Sequence, residues 1–321
     1  DEDGPVWMVN LMRYRPVAEY ADGRASTMSG QEADDAYAPF DAFAEVGAEL
    51  VFLAEVESQL LGEPPAWDRV AVVRYPTHRA FVEMTHLPSF EEKHPHKDAG
   101  MARTIVVGGV PRPTPTLPAD APAWADVPHP PTDDDPPIVV FHLLRFAERP
   151  DATEAMVSYQ DAAGAVAVPH GVRIGGWLTV EGTILGDGRD WDEARFNRFP
   201  SRNAFFTVAL DPDRLAALRD SDPVMYTDML ACDAFDVMAR LGELHVGADL
   251  RLPQLVGKVG ADFVQHFLRE ARALVEAAGR KYLIGHGDGI LGTWGIPFYG
   301  IDRKVGREAK ARRAKPDRQF D

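Results

Sequence analysis

The 321-residue sequence contains one cysteine, Cys232. A single thiol builds no intrachain disulfide and no cysteine metal cluster, and a reducing cytoplasm is the expected setting. No run of ~18 apolar residues occurs, so no membrane-spanning helix is expected. Asp1-Glu2-Asp3-Gly4 has neither the basic nor the apolar region of a secretory signal. Basic residues are in short supply: 34 Lys/Arg face 50 Asp/Glu, a net charge of −16. That balance argues against nucleic acid as a partner, because phosphates need a basic surface. There is no Gly-x-Ser-x-Gly elbow and no His-Glu-x-x-His helix. Gly285-His286-Gly287-Asp288-Gly289 lacks the strand-turn-helix setting and the lysine of a phosphate loop.

Apolar residues make up 45% and charged residues 26% of the chain, as in ordinary soluble proteins. A chain of this length calls for two domains. The charge is uneven: residues 302–321 carry eight Lys/Arg against four acids. That leaves −20 on the remainder and suggests a basic arm lying on an acidic body, of the same or a neighbouring subunit.

The sequence repeats itself. Val9-Asn10-Leu11-Met12-Arg13-Tyr14 is echoed by Phe141-His142-Leu143-Leu144-Arg145-Phe146, 132 residues on. Trp67-Asp68 returns as Trp191-Asp192, Arg74-Tyr75-Pro76-Thr77 as Arg198-Phe199-Pro200-Ser201, Ala80-Phe81 as Ala204-Phe205, and Pro88 as Pro212, all 124 residues on. Ten of the 27 residues at 111–137 are proline, so this stretch reads as an extended linker, with Trp124 placed to pin it to a surface. Four segments follow: a unit at 5–110, the linker, a second unit at 138–249, and an extension at 250–321.

Each unit reads β-α-β-β-α-β, the ferredoxin-like order. In the first, a strand at 6–14 precedes a helix from Ser29 to about Val46, which Gly47 stops. Strands at Glu49–Leu61 and Trp67–Tyr75 follow, then a helix capped by Thr77 and a strand at Thr104–Val110. In the second, strands are expected at Ile138–Phe146, Val172–Gly186 and Trp191–Phe199, with a helix at Ala152–Val166 between the first two. A long helical run is expected from Ser201 to about Arg240, with Leu244–Val246 as the closing strand. In the extension, Ala261–Ala278 reads as an amphipathic helix, Tyr282–Tyr299 as a hairpin or loop, and 302–315 as a basic helix.

Trp67-Asp68, Arg74-Tyr75-Pro76-Thr77, Ala80-Phe81, Pro88, His96 and Ala99-Gly100 resemble a bacterial family of small domains of unknown function. That family belongs to the dimeric α/β-barrel superfamily. The resemblance implies an α+β fold: two ferredoxin-like units packed sheet to sheet as an intrachain dimeric α/β barrel. A ligand would sit between a sheet and its helices. Superfamily members include cofactor-free monooxygenases, isomerases and dehydratases as well as haem enzymes, so the fold leaves the activity open.

Histidines 78, 86, 94 and 96 crowd the first unit. A histidine serves as a general base near neutral pH. His94 and His96 could equally belong to a solvated helix end; they have no third ligand in view, so no metal is expected. Asn10, on the first strand, is a polar residue in need of a partner, and His142 replaces it in the second unit. Arg13 lies on the opposite strand face. Trp67 reads as a packing anchor, Asp68 as the partner of an arginine, and Arg74 as a carboxylate binder or ion-pair member. His266 would be one axial ligand for haem.

The first reading is thus an enzyme acting on a small apolar or aromatic molecule by general acid-base chemistry without a nucleotide cofactor: a monooxygenase, isomerase, dehydratase or cyclase. His96, His94, Asn10 and Arg13 are assigned the chemistry, and His142, Tyr75, Arg74, Trp67 and Trp294 the binding. No cofactor is expected, and a homo-oligomer is compatible with the fold. A haem enzyme of the same superfamily and a non-catalytic binding protein are the alternatives.

Overall fold

In the computed structural model, which describes residues 3–233, eight antiparallel strands close into a barrel. The first four are β1 (Val6–Tyr14), β2 (Glu49–Leu61), β3 (Arg69–Tyr75) and β4 (Met101–Pro111). The second four are β5 (Ile138–Phe146), β6 (Arg173–Leu185), β7 (Glu193–Phe199) and β8 (Val224–Asp233). Round the barrel the order is β1-β3-β2-β8-β5-β7-β6-β4. Each half therefore contributes a four-stranded block, β4-β1-β3-β2 or β8-β5-β7-β6, and antiparallel pairs β2·β8 and β4·β6 seal the two seams. Closure leaves no sheet edge open to foreign strands.

Strand alternation assigns the two faces. Val9 and Leu11 of β1, Val70 and Val72 of β3, Phe141 and Leu143 of β5, and Leu230 of β8 are buried in one core cluster shared by both halves, which fills the barrel. Met8 of β1 points the other way and packs with Phe43, Ala80 and Phe90 beneath the helices of the first half. Those helices are α1 (Gly30–Tyr37), α2 (Phe40–Val46), α3 (His78–Met84) and α4 (Pro88–Gly100). In the second half α5 (Ala152–Ala167), α6 (Arg202–Ala209) and α7 (Pro212–Ser221) cover Ile138 and Val140.

Local signals set the helix ends. Ser29 accepts from the Glu32 N–H while Glu32 accepts from the Ser29 N–H, a complete capping box. Gly47 ends α2 in the left-handed region at φ 69°, where a Cβ would be strained. Two readings of the sequence are corrected. The expected helix from Ser29 to Val46 is two helices, because Pro39 lacks the N–H that a continuous helix would use. The expected helical run to Arg240 ends at Ser221. Asp222 turns the chain left-handed at φ 44°, Pro223 follows, and β8 closes the sheet.

The linker holds one 3₁₀ turn, Trp124–Asp126. Trp124 does pin it: its indole N–H donates to the Gly171 carbonyl at 2.7 Å. No helix among the described residues is long and apolar enough to cross a membrane. The expectations for Leu244–Val246, His266, His286, Trp294 and the other features beyond 233 lie outside the described residues.

Candidate functional site

Of the first-half residues singled out by sequence, Arg13 and Asp68 meet, and the others are held by separate partners. Asn10 Nδ2 donates to its own strand, at the Met8 carbonyl 3.1 Å away. Arg13 donates to Asp68 at 2.7 Å, and the second Asp68 oxygen accepts the Tyr14 N–H, also at 2.7 Å. The same device recurs at Arg145, Asp192 and the Phe146 N–H, at 3.1 and 2.7 Å. Arg74 pairs with Glu49 at 3.4 Å. Tyr75 is core, against Phe43 and Phe81, and burial pushes its phenol up. Trp67 is buried and donates to Asp228 at 3.0 Å. His94 stacks on Phe90 and lies 3.5 Å from Asp98. His96 Nδ1 sits 2.6 Å from the Tyr20 hydroxyl. Among the described residues no group of three or more His, Cys, Asp or Glu could hold a metal ion.

The space beneath the first-half helices is occupied. Asp34 of α1 accepts from Tyr14 at 2.7 Å, from Lys97 at 2.8 Å and from Arg69 at 3.3 Å. Burial lowers the Lys97 ammonium, and Asp34 beside it opposes that shift.

In the second half the equivalent space is open. A cavity of about 940 Å³ lies between the outer face of β5, β6, β7 and β8 and the helices α5, α6 and α7. Its wall is mostly apolar, with Met156, Phe205, Val208, Leu215 and Met229, and linker residues Thr114–Pro118 also line it. None of His94, His96, Asn10, Arg13, Tyr75, Arg74 and Trp67 lines it; His142 does.

The strand register explains why. Asn10 pairs with Ala71 across β1 and β3, and His142 pairs with Arg195 across β5 and β7. Met8 opposite Val73 corresponds to Val140 opposite Asn197. The helix-facing positions that are apolar in the first half, Ala71 and Val73, have thus become Arg195 and Asn197. The covering helix is also shorter: α7 has 10 residues where α4 has 13. Arg195 and Asn197 were missed by the sequence reading. The signal was there, as a polar exchange at matched repeat positions.

The polar groups at this wall are ordered. Arg195 Nε donates to Glu193 at 2.6 Å, and Arg112 pairs with the same carboxylate. The Arg195 guanidinium lies 4.3 Å from the Trp177 ring, whose N–H donates to Asn197 at 3.0 Å. Burial, then the positive charges of Arg195 and Arg214, push the His142 imidazole down to about 3, so it is neutral at pH 7. Burial, then Arg112, pushes Arg195 down to about 9, which leaves it mostly charged. The arrangement offers a neutral imidazole beside guanidinium groups in an apolar chamber. It can accept a hydrogen bond at the imidazole and hold an anion on the guanidinium groups.

No protein-family model and no curated protein matches the chain. Among solved structures it is similar to a mutant chlorite dismutase from Candidatus Nitrospira defluvii, at 12% identity over 74% of this chain and 94% of that one, with a TM-score of 0.43. It is similar to an anthrone oxidase-like protein at 11% identity over 72% and 92%, with a TM-score of 0.38. Neither likeness bears on activity. RPA0582, a protein of unknown function from Rhodopseudomonas palustris, is similar at 33% identity over 34% of this chain and 82% of that one, with a TM-score of 0.31. By that identity across most of the smaller protein, the chain belongs to the same family as RPA0582.

Proposed function

We propose that the two halves are copies of one ferredoxin-like unit, forming within one chain the barrel of the dimeric α/β-barrel superfamily. On this reading the chain is a small-molecule enzyme working by general acid-base chemistry, without a nucleotide cofactor, on a largely apolar substrate. The matched registers and the repeated Arg-Asp-backbone device support the duplication. One observation carries the activity: a neutral histidine, His142, opens beside Arg195 into a 940 Å³ apolar cavity. That volume lies within the range of small-molecule sites.

In the proposed step Arg195 and Arg214 hold an acid group of the substrate, which offsets the charges that oppose protonation of His142, and the imidazole then takes a proton from an acidic C–H or O–H. The electron pair stays on the substrate, and Arg195 and Arg214 hold the anion. Isomerisation, dehydration, cyclisation and oxygenation all begin from such an anion. Asn10, His94, His96 and Arg13 take no part in this step; their half serves as scaffold. The test is to identify the compound carried through purification by native mass spectrometry, then follow its consumption by wild type and His142→Asn. Conversion by wild type and its loss in the variant are expected. Equal conversion by both overturns the reading.

A second reading rests on the same imidazole. A neutral histidine in an apolar chamber would serve as a ligand to haem iron, and Arg173 and Arg214 at the wall would hold its carboxylates. Bound haem would supply redox chemistry. Titration with haemin decides: this reading requires a Soret shift in wild type that is absent from His142→Asn.

A further inference from the structure

We infer that the second-half cavity receives a hydrophobic organic anion, whose acid group lies on Arg195 and Arg214 beside His142 while its hydrocarbon part packs among Met156, Phe205, Val208, Leu215 and Met229. This rests on the cavity being the functional site and specifies the substrate class.

Arg173, Arg195 and Arg214 all line the cavity. Behind them Glu193, 3% exposed, is shared between Arg195 and Arg112. Arg214 donates to the Ala209 carbonyl at 3.0 Å and lies 5.6 Å from the Tyr159 ring. Arg173 donates to the carbonyls of Val172 and Pro122. Carbonyls and a ring face leave a guanidinium's charge unbalanced. The carboxylate at the wall, Asp161, is exposed on α5. Cationic groups thus outnumber anionic ones around an apolar chamber, in a chain whose net charge is −16.

Arg195 is 6% exposed, and a buried guanidinium that shares its one carboxylate with Arg112 is costly; an incoming anion lowers that cost. A neutral ligand of the same shape leaves it in place. Gln160 also lines the cavity, and its amide oxygen, buried without a hydrogen-bond donor, is a place for a donor group elsewhere on the ligand. A bound anion also changes His142. Burial, and after it the charges of Arg195 and Arg214, hold its imidazole low, and an anion between the two guanidinium groups offsets the second of these. The base strengthens when the substrate arrives.

The experiment titrates the full chain with 1-pyrenebutyrate and with 1-pyrenebutanol, its uncharged analogue, following pyrene fluorescence, while NMR follows the His142 ring. The expected result is at least about tenfold tighter binding of the carboxylate and an upward shift of the His142 titration on saturation. Arg214→Met and Arg195→Met should each cut the preference several-fold, and Arg214→Lys should retain part of it. Among the described residues the Arg214 guanidinium has a carbonyl and a ring as partners, so its variant tests the idea even if Arg195→Met does not fold. Equal affinity for the two probes overturns the anion inference while leaving the cavity as a site. Failure to bind either probe overturns both. A carboxylate preference indifferent to both arginine substitutions places the anion elsewhere and also overturns the inference.

Discussion

His142 and Arg195 face each other across the β5–β7 pairing, at the register position where the first half places Asn10 opposite Ala71. With Val73 against Asn197 and the shorter α7, this difference separates the filled half from the half with the cavity. An asparagine satisfied by its own strand and an alanine bring no charge beneath the helices. A histidine and an arginine there need either carboxylate partners or a space that a ligand fills. Glu193 meets part of that need, and the cavity leaves the remainder to be met.

The depressed imidazole gives a pH signature. His142 titrates near 6.5 when unfolded and at about 3 when folded. Between those values the unfolded chain binds the extra proton, so folding stability rises with pH across the window. It is lost as pH falls from about 6.5 toward 3, at about 1.4 kcal/mol per pH unit for one proton. Above pH 6.5 the contribution is flat. His142→Asn removes this slope. Urea unfolding at several pH values should show the variant gaining on wild type steadily below pH 6.5, and parallel curves would contradict the burial of a neutral imidazole.

Gly164 offers a way to close the cavity. It lies within α5 on the cavity wall, and a Cβ there would meet no atom within 4 Å. Gly164→Ala should stabilise by about 0.5–1 kcal/mol, because glycine is a poor helix former. Gly164→Phe should abolish pyrene-probe binding while the thermal midpoint holds or rises. Undiminished binding in the phenylalanine variant would place the bound probe elsewhere.

Much of the barrel was legible and the site was not, for physical reasons. Glu49–Leu61 and Ile138–Phe146 were readable residue by residue because turn chemistry bounds them. β8 was misread as helix because Met229-Leu230-Ala231-Cys232 are all buried, so it lacks the polar alternation of a one-sided strand. Its pairing with β5 and β2 decides its state, and that pairing is non-local. Pro39 was legible as a breaker, yet the apolar stripe on either side of it suggested continuity. The density of histidine drew attention to His94 and His96, which lie on the outer helix α4. A cavity is a missing set of side chains, and no local pattern in one half announces it. Position-by-position comparison of the two halves does so, at Ala71 and Arg195 above all.

The Asp68 and Asp192 devices should be energetically equivalent. Each carboxylate joins an arginine to the backbone N–H of the next residue, with the backbone bond at 2.7 Å in both. Asp68→Ala and Asp192→Ala should each cost about 1–2 kcal/mol, the worth of a lost charge-assisted bond. Arg13→Ala should cost under about 1 kcal/mol, since the pair is one-third exposed. Urea midpoints check this. A large asymmetry between the two aspartates would show that their matched geometry does not carry matched energy.

The β2·β8 seam depends on a buried carboxylate. Asp228 is 0% exposed and shares its strand face with Leu230 and Cys232, inside the barrel. It accepts the Trp67 indole N–H at 3.0 Å and both arms of Arg189, at 2.9 and 3.0 Å. Trp67 comes from the first half, and Asp228 and Arg189 from the second, so one carboxylate ties the halves together. Asp228→Ala leaves Arg189, 16% exposed, to Asp187 alone and the Trp67 indole N–H without its acceptor, and should cost about 2–3 kcal/mol. Asp228→Asn keeps the volume and one acceptor and should cost about 1–3 kcal/mol. Adding Arg189→Met to an Asp228→Leu variant removes both charges and should recover most of the loss, because a buried pair replaced by apolar groups is often near neutral. The double-mutant cycle by urea unfolding reads the coupling directly. A loss below about 1 kcal/mol for Asp228→Ala, or no recovery in the double variant, would mean that the seam is held by its strand pairing and apolar core instead.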